Sequence, residues 1–440
     1  MSEERGVNSR IVKIVLLALL AVALIVLLVM YLLDKGALPA LDGGTMQFEQ
    51  TGTIVRYDMD SRAQFHTYKD GGGFFSATKD GIRFIAGDGS EKMNSAYSMA
   101  SPKLVGKGGV VGVAEPGGLS LYVFDKTGLL YVARPENPIL HFSVAANGYA
   151  CVVTQTGNDY DIFVYNDKGL VSLHGFHADT NVYPVAADVS NDGRILAVSY
   201  LDTNGAEINS RIVFSYINKS EAAAYAASNG IYGGSEQNPD RLIGVLRFME
   251  GNQLIAVSDK DIVCYEADNG GRRKWSLTLG NMLDAICLTE SNWFAVAYGS
   301  RNPNLPGEEP GLCRFYDLDG SPLGEFNAAG KVTQLSLGFS SAIVGSEHQL
   351  TALSQSGNTL WTYAATQDLL QVLFLENTNK VLIAGETQAE VLRRAKVRQA
   401  ADAADSTPFP ADVSTPNSSA EPTPLESPAP TDPPTTEEAM

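Results

Sequence analysis

The sequence predicts an all-β protein, an eight-bladed β-propeller that follows one transmembrane helix and precedes a disordered tail. From about residue 65 to residue 398, short β-rich runs recur, and polar turns containing Gly join them in pairs. Two further apolar runs precede each pair, so the repeating unit has four short strands. Repeated four-stranded units are typical of a β-propeller. The clearest strand pairs are Leu121–Ala133, Asp161–Leu173, Leu312–Phe326 and Leu350–Tyr363.

The repeats divide into eight units, each of which can form one blade. A single four-stranded sheet cannot bury both of its faces, whereas sheets stacked around an axis bury one another and leave only short edges. In the third unit, the predicted strands are His141–Val144, Tyr149–Thr154, Asp161–Tyr165 and Leu170–Phe176. The eight units are predicted at 65–99, 102–137, 139–177, 182–227, 241–278, 283–327, 331–364 and 368–398.

The last unit has only three strand-like runs: Leu369–Leu375, Lys380–Gly385 and Ala389–Arg394. One additional run, Thr53–Tyr57, stands at the start of the domain, with Met46–Phe48 just before it. We therefore predict that this N-terminal strand completes the last blade, closes the ring and removes its edge. A seven-bladed ring is the alternative if one blade has been divided wrongly.

The segment Ser220–Ala227 (SEAAAYAA) gives two conflicting signals. Its Ala-rich composition favours a helix capped by Ser220. Its position in the repeat favours the outer strand of the fourth blade, because Tyr216 and the residues after it align with Tyr165 and its followers. We follow the repeat and predict a strand.

Three segments carry a partial resemblance to a known repeat. Ala352–Trp361 resembles the quinoprotein-like propeller repeat, Ala-x-Asp-x-x-Thr-Gly-x-x-x-Trp, but is one residue shorter before the Gly. Gly271–Trp275 keeps the Gly-to-Trp spacing, and Val123–Gly128 keeps the Asp and the Thr-Gly pair. The resemblance implies a PQQ-like or WD40-like propeller fold over residues 65–398. The whole chain is also similar to single-pass membrane propeller proteins of Gram-positive bacteria, a group with no established activity.

The run Ile14–Leu33 consists of 20 uninterrupted apolar residues. As a helix rising about 1.5 Å per residue it would span about 30 Å, the thickness of one bilayer core. Arg5, Arg10 and Lys13 precede it, so the positive-inside rule places the N-terminus in the cytoplasm and the later residues outside the cell. Signal-peptide cleavage near Ala40 is the alternative.

The predicted organisation therefore has five parts. They are a cytoplasmic segment at 1–13, a transmembrane helix in the cell membrane at 14–33, a tether at 34–45, an extracellular propeller at 46–398 and a tail at 399–440. From residue 401 onward the tail contains nine Pro, eight acidic residues and no Lys or Arg. Such a composition cannot bury a core, so we expect the tail to be disordered.

The charge balance excludes one class of partner. The net charge of the chain is −18, of which the tail contributes −8 and residues 36–400 contribute −11. Phosphate groups would be repelled by a domain this acidic, so nucleic acid is not an expected partner.

The four cysteines Cys151, Cys264, Cys287 and Cys313 are widely spaced, and none belongs to a Cys-x-x-Cys motif. We expect buried free thiols rather than disulfides, and neither a zinc nor an iron–sulfur site.

Two further patterns have the residue types of metal ligands, but their spacing is wrong. His174 and His177 are three apart, which on a strand directs their side chains to opposite faces, so surface or packing roles are expected. Asp317-Leu-Asp319-Gly320 starts like a calcium loop, but its twelfth position is Ala328, where a bidentate Glu is required, so a hairpin turn is expected. We expect no metal and no cofactor.

The chain shows no Gly-x-Ser-x-Gly elbow and no phosphate-binding loop. A quinone-binding dehydrogenase of this fold would be expected to carry more regular Trp-bearing repeats and an adjacent cysteine pair, whereas this chain has three Trp. We therefore expect a non-catalytic binding or scaffold module for an unidentified protein or a cell-wall polymer. The alternatives are a sensor ectodomain that works with a partner subunit and, less favoured, a quinoprotein-like enzyme or a hydrolase.

The expected partner-binding surface is one face of blades four to six. Connections between second and third strands share a face with blade-to-blade connections, because successive strands run in opposite directions. The three longest predicted insertions, Leu201–Asn209, Ser228–Asp240 and Gly299–Gly311, fall in these classes, and long loops often carry function. The candidate binding residues are Asp202, Asn204, Glu207, Tyr232, Glu236, Arg301, Asn302, Glu308 and Glu309.

Overall fold

Eight antiparallel sheets follow one another along the chain in the computed structural model. The structure describes position 24 and residues 46–396, except for 62, 69–71, 229–230, 236, 281, 290–291, 300–310, 347, 366–367 and 377–379. Within the described residues, no helix has both the length and the apolar character needed to cross a membrane. The predicted span Ile14–Leu33 lies outside them, apart from Leu24.

The first four blades follow the predicted order, with strands pairing in sequence from the innermost to the outermost. Blade one contains Gln64–Thr67, Gly73–Thr78, Gly81–Ala86 and Glu91–Ala96. Blade two contains Lys103–Lys107, Val110–Ala114, Leu121–Asp125 and Gly128–Ala133. Blade three contains Ile139–Val144, Ala150–Thr156, Asp159–Tyr165 and Val171–His177. Blade four contains Val182–Val189, Ile195–Asp202, Asn209–Tyr216 and Ile231–Gly234, and the short strand Asn238–Pro239 also pairs with its third strand.

The remaining blades complete the ring in the same pattern. Blade five contains Ile243–Phe248, Gln253–Ser258, Asp261–Glu266 and Arg272–Thr278. Blade six contains Leu283–Cys287, Trp293–Tyr298, Leu312–Asp317 and Pro322–Asn327. Blade seven contains Val332–Leu337, Ser341–Ser346, Gln349–Ser354 and Thr359–Ala364. Blade eight contains Gln371–Glu376, Lys380–Ala384, Gln388–Lys396 and, as its outermost strand, Met46–Arg56.

The prediction of eight blades is confirmed, and the seven-bladed alternative is wrong. Closure by the N-terminal strand is also confirmed. Met46–Arg56 pairs antiparallel with Gln388–Lys396, from Met46 opposite Lys396 to Arg56 opposite Gln388, with an irregularity between Gln50 and Ile54. The closing strand is therefore longer than Thr53–Tyr57 and includes the predicted run at 46–48.

The core lies between neighbouring blades. Second strands are the most completely buried, because both of their faces pack against adjacent sheets: every residue of Trp293–Tyr298 and of Ser341–Ser346 is buried. Outermost strands alternate between half-buried and exposed residues, as in Arg272–Thr278. Burial of apolar area from both sides of each sheet is what holds the ring together.

The predicted outer strand at Ser220–Ala227 is wrong. This segment forms a short α-helix, Lys219–Ala222, followed by a 3-10 helix, Ala223–Ser228. The side chain of Asn218 caps the helix by accepting a hydrogen bond from the backbone N–H of Ser220 at 3.0 Å. The outer strand of blade four is Ile231–Gly234 instead.

The other 3-10 turns are short connections: Met59–Ser61 between blades eight and one, and Glu250–Asn252 and Ala267–Asn269 within blade five.

Candidate partner-binding face

The ring has two faces, which we name by the connections they carry. The insertion face carries the connections between second and third strands and those between blades. The opposite face carries the remaining connections. The third strand of blade eight starts on the insertion face and ends at Lys396 on the opposite face. The closing strand runs antiparallel to it and therefore begins, at Met46, on this opposite face.

Three of the predicted binding residues lie on the blade four loop of the insertion face. The Oδ1 atom of Asp202 accepts hydrogen bonds from the backbone N–H and the side-chain amide of Asn204, both at 2.9 Å. That amide also donates to the Thr180 carbonyl at 2.9 Å. Asp202 and Asn204 therefore shape the loop. Glu207 is exposed, and its side chain makes no hydrogen bond or ion pair within the described residues.

Tyr232 does not lie in a loop, contrary to its predicted place in an insertion at Ser228–Asp240. It belongs to the outermost strand of blade four, where its hydroxyl donates to the Ala267 carbonyl at 2.7 Å. Its ring stacks on that of Tyr216 with a centroid distance of 4.0 Å. Burial raises the pKa of its phenol. The structure thus gives Tyr232 a packing role between blades four and five.

The remaining predicted residues, Glu236, Arg301, Asn302, Glu308 and Glu309, lie outside the described residues. The described residues that follow position 236 contact the blade four loop. Asn209 donates from its side-chain amide to Gln237 Oε1 at 2.7 Å, and the backbone N–H of Asp240 donates to the Ile208 carbonyl at 2.7 Å. Residues 203–208 and 237–241 are therefore in contact on the insertion face.

An exposed apolar collar surrounds the axis on the insertion face, and sequence reasoning missed it. The innermost strands meet around the axis, and each one begins on this face. Large apolar side chains within two residues of these starts are 38 to 62 % exposed in five of the eight blades. The axial collar consists of Leu140, Tyr183, Leu242, Val245, Met282 and Leu370. Its members are spread over 230 residues of sequence, so no local pattern could reveal them.

A buried polar cluster crosses the inside of the ring at the other ends of the innermost strands. Lys107 of blade two lies with its Nζ 3.2 Å from Oδ2 of Asp188 in blade four, and both side chains are almost completely buried. The same carboxylate oxygen accepts the backbone N–H of Phe248 at 2.7 Å. Arg247 of blade five donates to the Gly106 carbonyl of blade two at 2.9 Å. These contacts join blades two, four and five across the axis.

His66 lies against this cluster. A Cβ atom built on Gly106 would lie 2.3 Å from its ring, so only glycine fits there. Burial, reinforced by the nearby Arg247 charge, lowers the pKa of His66 to about 4. The imidazole is therefore neutral near pH 7, and its Nε2 atom is buried without a partner among the described residues.

Near the closure, glutamine side chains also form hydrogen bonds with the backbone of the neighbouring innermost strand. Gln371 of blade eight brackets Phe65 of blade one, accepting from its N–H at 3.0 Å and donating to its carbonyl at 2.8 Å. Gln64 does the same for blade two, accepting from Leu104 N–H at 2.9 Å and donating to the Pro102 carbonyl at 2.7 Å. These pairs lock neighbouring blades in register where the ring closes.

The four cysteines are free thiols, as predicted, and all except the half-buried Cys287 are buried. Burial raises the pKa of Cys264 and Cys313 to about 12 and that of Cys287 to about 11, so these thiols stay protonated near neutral pH. A protonated, buried thiol is a poor nucleophile.

The two suspected metal patterns are structural. His174 stacks on Phe163 at 4.5 Å and contacts Asp161 Oδ1 at 2.7 Å, a carboxylate that the local sequence did not suggest. Asp317 caps a hairpin turn, in which its Oδ1 accepts the N–H of Asp319 at 2.9 Å. No group of three or more potential ligands that could hold a metal ion occurs in the part of the chain that the structure describes.

The sequence profile of DUF5711, a family of unknown function, matches residues 45–393. The chain belongs to the DUF5711 family. No curated protein matches its sequence. Among solved structures, the DUF5711 domain is similar to Sqt1 from Chaetomium thermophilum, with 10 % identity, a TM-score of 0.51, and coverage of 79 % of this chain and 100 % of that chain. It also matches BamB from Moraxella catarrhalis, with 15 % identity, a TM-score of 0.46, and coverage of 79 % and 98 %. At these identities the likeness concerns the propeller fold.

Proposed function

We propose that this chain is a membrane-anchored, extracytoplasmic, non-catalytic binding module whose insertion face docks a protein partner. The observation that carries the proposal is the axial collar. Exposed large apolar side chains scattered singly are ordinary, whereas several on one surface, rimmed by polar loops, are typical of a protein interaction site.

The collar and the blade four loops together have the layout of a protein interface. Apolar side chains lie at the centre, around the axis. The loop at 203–208 and the connection at 237–241 lie farther out and are polar, with Glu207 exposed and unpaired within the described residues. A hydrophobic centre that excludes water and a polar rim that sets the register are the usual parts of a specific interface.

The polar cluster below the collar supports docking rather than passage through the ring. The contacts from Lys107 to Asp188 and from Arg247 to Gly106 cross the inside of the ring near its opposite face. A partner docked on the collar would therefore have the side chains of this cluster beneath it, inside the ring. Such a surface suits an inserted loop or side chain of a protein.

The ends of the propeller favour an orientation. Met46 and Lys396 lie on the opposite face, and the apolar run at 14–33 with its tether at 34–45 precedes Met46. If that run spans the bilayer, as its length allows, the insertion face points away from the membrane. External protease on intact cells should then degrade the domain, and full protection in sealed right-side-out vesicles would contradict its extracytoplasmic location.

The docking proposal is tested by polar substitution of the collar. The triple variant Leu140→Ser, Met282→Ser, Leu370→Ser should stay folded, because these side chains are exposed, and should lose partner binding by about tenfold or more. A photo-crosslinking residue at position 282 should give a discrete protein adduct in cells, and the additional substitutions Leu140→Ser and Leu370→Ser should weaken that adduct.

The matched control replaces equally exposed apolar residues elsewhere on the ring: Leu129→Ser, Leu170→Ser, Phe339→Ser. It should bind as the wild type does. Equal binding by both triple variants would place the site elsewhere. The wild-type protein could instead sediment with purified cell wall, while the collar variant does not and no protein adduct forms. That result would identify the partner as a wall polymer and not as a protein.

A further inference from the structure

A polar cleft lies on the insertion face at the seam where the ring closes. Its volume is about 250 Å³. One wall is formed by the end of the closing strand and the turn after it, and the other by the second, third and outermost strands of blade one. The charged side chains that line it are Arg56, Asp58, Asp80 and Arg83, and the neutral polar ones include Ser61, Ser76, Thr78 and Asn94.

Both walls are held in place before any ligand arrives. Tyr57 anchors the first wall to blade eight, since its hydroxyl donates to the Gly385 carbonyl at 2.7 Å and its N–H donates to the Thr387 carbonyl at 3.0 Å. Ser61 closes the following turn by donating to the Asp58 carbonyl at 2.6 Å. In the second wall, the Asp80 carbonyl accepts the N–H of Tyr97 at 3.2 Å. A preformed cleft loses little conformational entropy on binding.

The charged groups of the cleft make few close contacts within the described residues, although the Lys79 ammonium interacts electrostatically with the carboxylates of Asp58 and Asp80. The side chains of Arg56, Asp58 and Asp80 make no hydrogen bond or ion pair within the described residues. Arg83 has only a distant contact, 3.8 Å from Glu91. The cleft thus presents two guanidinium groups and two carboxylates to solvent, whereas Ser61 and Ser76 are buried in its walls.

We propose that this seam cleft binds a small zwitterion of amino-acid size. Guanidinium groups pair with a carboxylate in a bidentate geometry, and carboxylates accept hydrogen bonds from an ammonium group. A ligand with only a negative charge would be repelled by Asp58 and Asp80, and one with only a positive charge by Arg56 and Arg83. The cleft volume is below the range of drug-sized pockets, which fits a ligand of one or two residues.

Binding there would join blade eight to blade one. A bound zwitterion would touch Arg56 on the closing strand and Arg83 or Asp80 on the first blade, so it would stabilise the closed ring. The proposal is independent of the docking proposal, because no collar residue lines the cleft.

The test measures thermal unfolding of the full chain in detergent. The probes are the common α-amino acids and glycylglycine as zwitterions, acetate and methylammonium as single charges, and glucose and glucuronate as sugars. At least one zwitterion should raise Tm saturably, by about 3 °C at a hundredfold excess over its dissociation constant, and the single charges and sugars should not. Calorimetric titration of the same probes gives the stoichiometry, expected to be one site per chain.

Free amino acids also raise the Tm of proteins non-specifically, because they are excluded from the protein surface. Variants of the cleft distinguish this effect from binding at the site. Arg83→Gln and Asp80→Asn, both at exposed positions, should each weaken binding by about tenfold or more. Arg134→Gln, an exposed arginine on a blade-to-blade connection, should bind as the wild type does. The proposal is overturned if no zwitterion binds by calorimetry, if acetate or glucuronate binds as well as the best zwitterion, or if Arg83→Gln leaves binding unchanged.

Discussion

Lys107 and Asp188 form an ion pair inside the ring, 3.2 Å apart, with blade three lying between their own two blades in the sequence. Because the pair is almost completely buried and the Phe248 N–H adds a hydrogen bond to Asp188, neither charge can recover its hydration if the other is removed.

Removing one member of this pair should therefore destabilise the domain strongly. We expect Lys107→Met or Asp188→Asn to lower the free energy of unfolding by about 3–5 kcal/mol, measured by denaturant titration. The double variant Lys107→Met, Asp188→Leu should lose clearly less than the sum of the two single losses. Single-variant losses below about 1 kcal/mol would show that the pair is not shielded from water.

His66 should make stability depend on pH. Its pKa is about 4 in the folded protein, against 6.5 in a free chain, so between these values the unfolded chain carries a proton that the folded protein does not. Stability should consequently rise with pH across this window, by about 3 kcal/mol in total, and be lost on acidification. Burial also lowers the pKa of His141, which adds to the same slope.

The measurement is the free energy of unfolding at several pH values between about 4 and 7. His66→Gln should flatten the slope, leaving the part due to His141. The matched control is His348→Gln, at a histidine 61 % exposed, which removes one imidazole without touching the buried site. A slope that survives His66→Gln in full would contradict the assignment.

The closing strand should be essential for the domain. Deleting residues 46–58 leaves Gln388–Lys396 with an open edge and removes the outermost strand of blade eight. We expect loss of cooperative unfolding or a large drop in Tm, measured by calorimetry. Deleting residues 401–440 should change Tm very little, and equal tolerance of both deletions would refute the role of the closure.

Two glycines with almost the same φ angle should respond differently to alanine. Gly117 has φ +84° and open space where a Cβ would lie, whereas a Cβ on Gly357, with φ +83°, would lie 2.1 Å from the Glu325 carbonyl oxygen. Gly117→Ala should cost about 1–2 kcal/mol from the left-handed conformation alone. Gly357→Ala should cost distinctly more, and equal losses in unfolding experiments would mean that the chain can shift at Gly357.

The eight blades and their closure could be predicted from the sequence because the same order of short apolar runs and Gly-containing turns recurs from blade to blade. The last unit lacked one strand and the run near Thr53 was one strand too many, so together they predicted the closure. Blade four departs from the predicted strand pattern because local helix-stabilising contacts decide the structure of residues 219–228. Asn218 caps a helix there, and Glu221 lies 2.6 Å from Arg194 across the neighbouring connection, so the Ala-rich segment is held as a helix.

The site was only partly predictable. Asp202, Asn204 and Glu207 occupy the predicted loop, since a polar stretch between two apolar runs marks a loop directly. The axial collar and the ion pair between Lys107 and Asp188 could not be found this way. Their members meet only because separate blades converge on the axis, and a periodic pattern records which face of a strand is buried but not which blade it faces.

The pairing of Met46–Arg56 with Gln388–Lys396 also sets an order of events during synthesis. The closing strand leaves the ribosome first, yet its partner follows some 330 residues later, about 20–70 s at typical elongation rates. During that interval the strand has no neighbour within its own blade and is open to incorrect pairing. Unpaired strand edges of this kind make a partly synthesised chain prone to aggregation, and a chain that ends before Gln388 would keep its first strand unpaired.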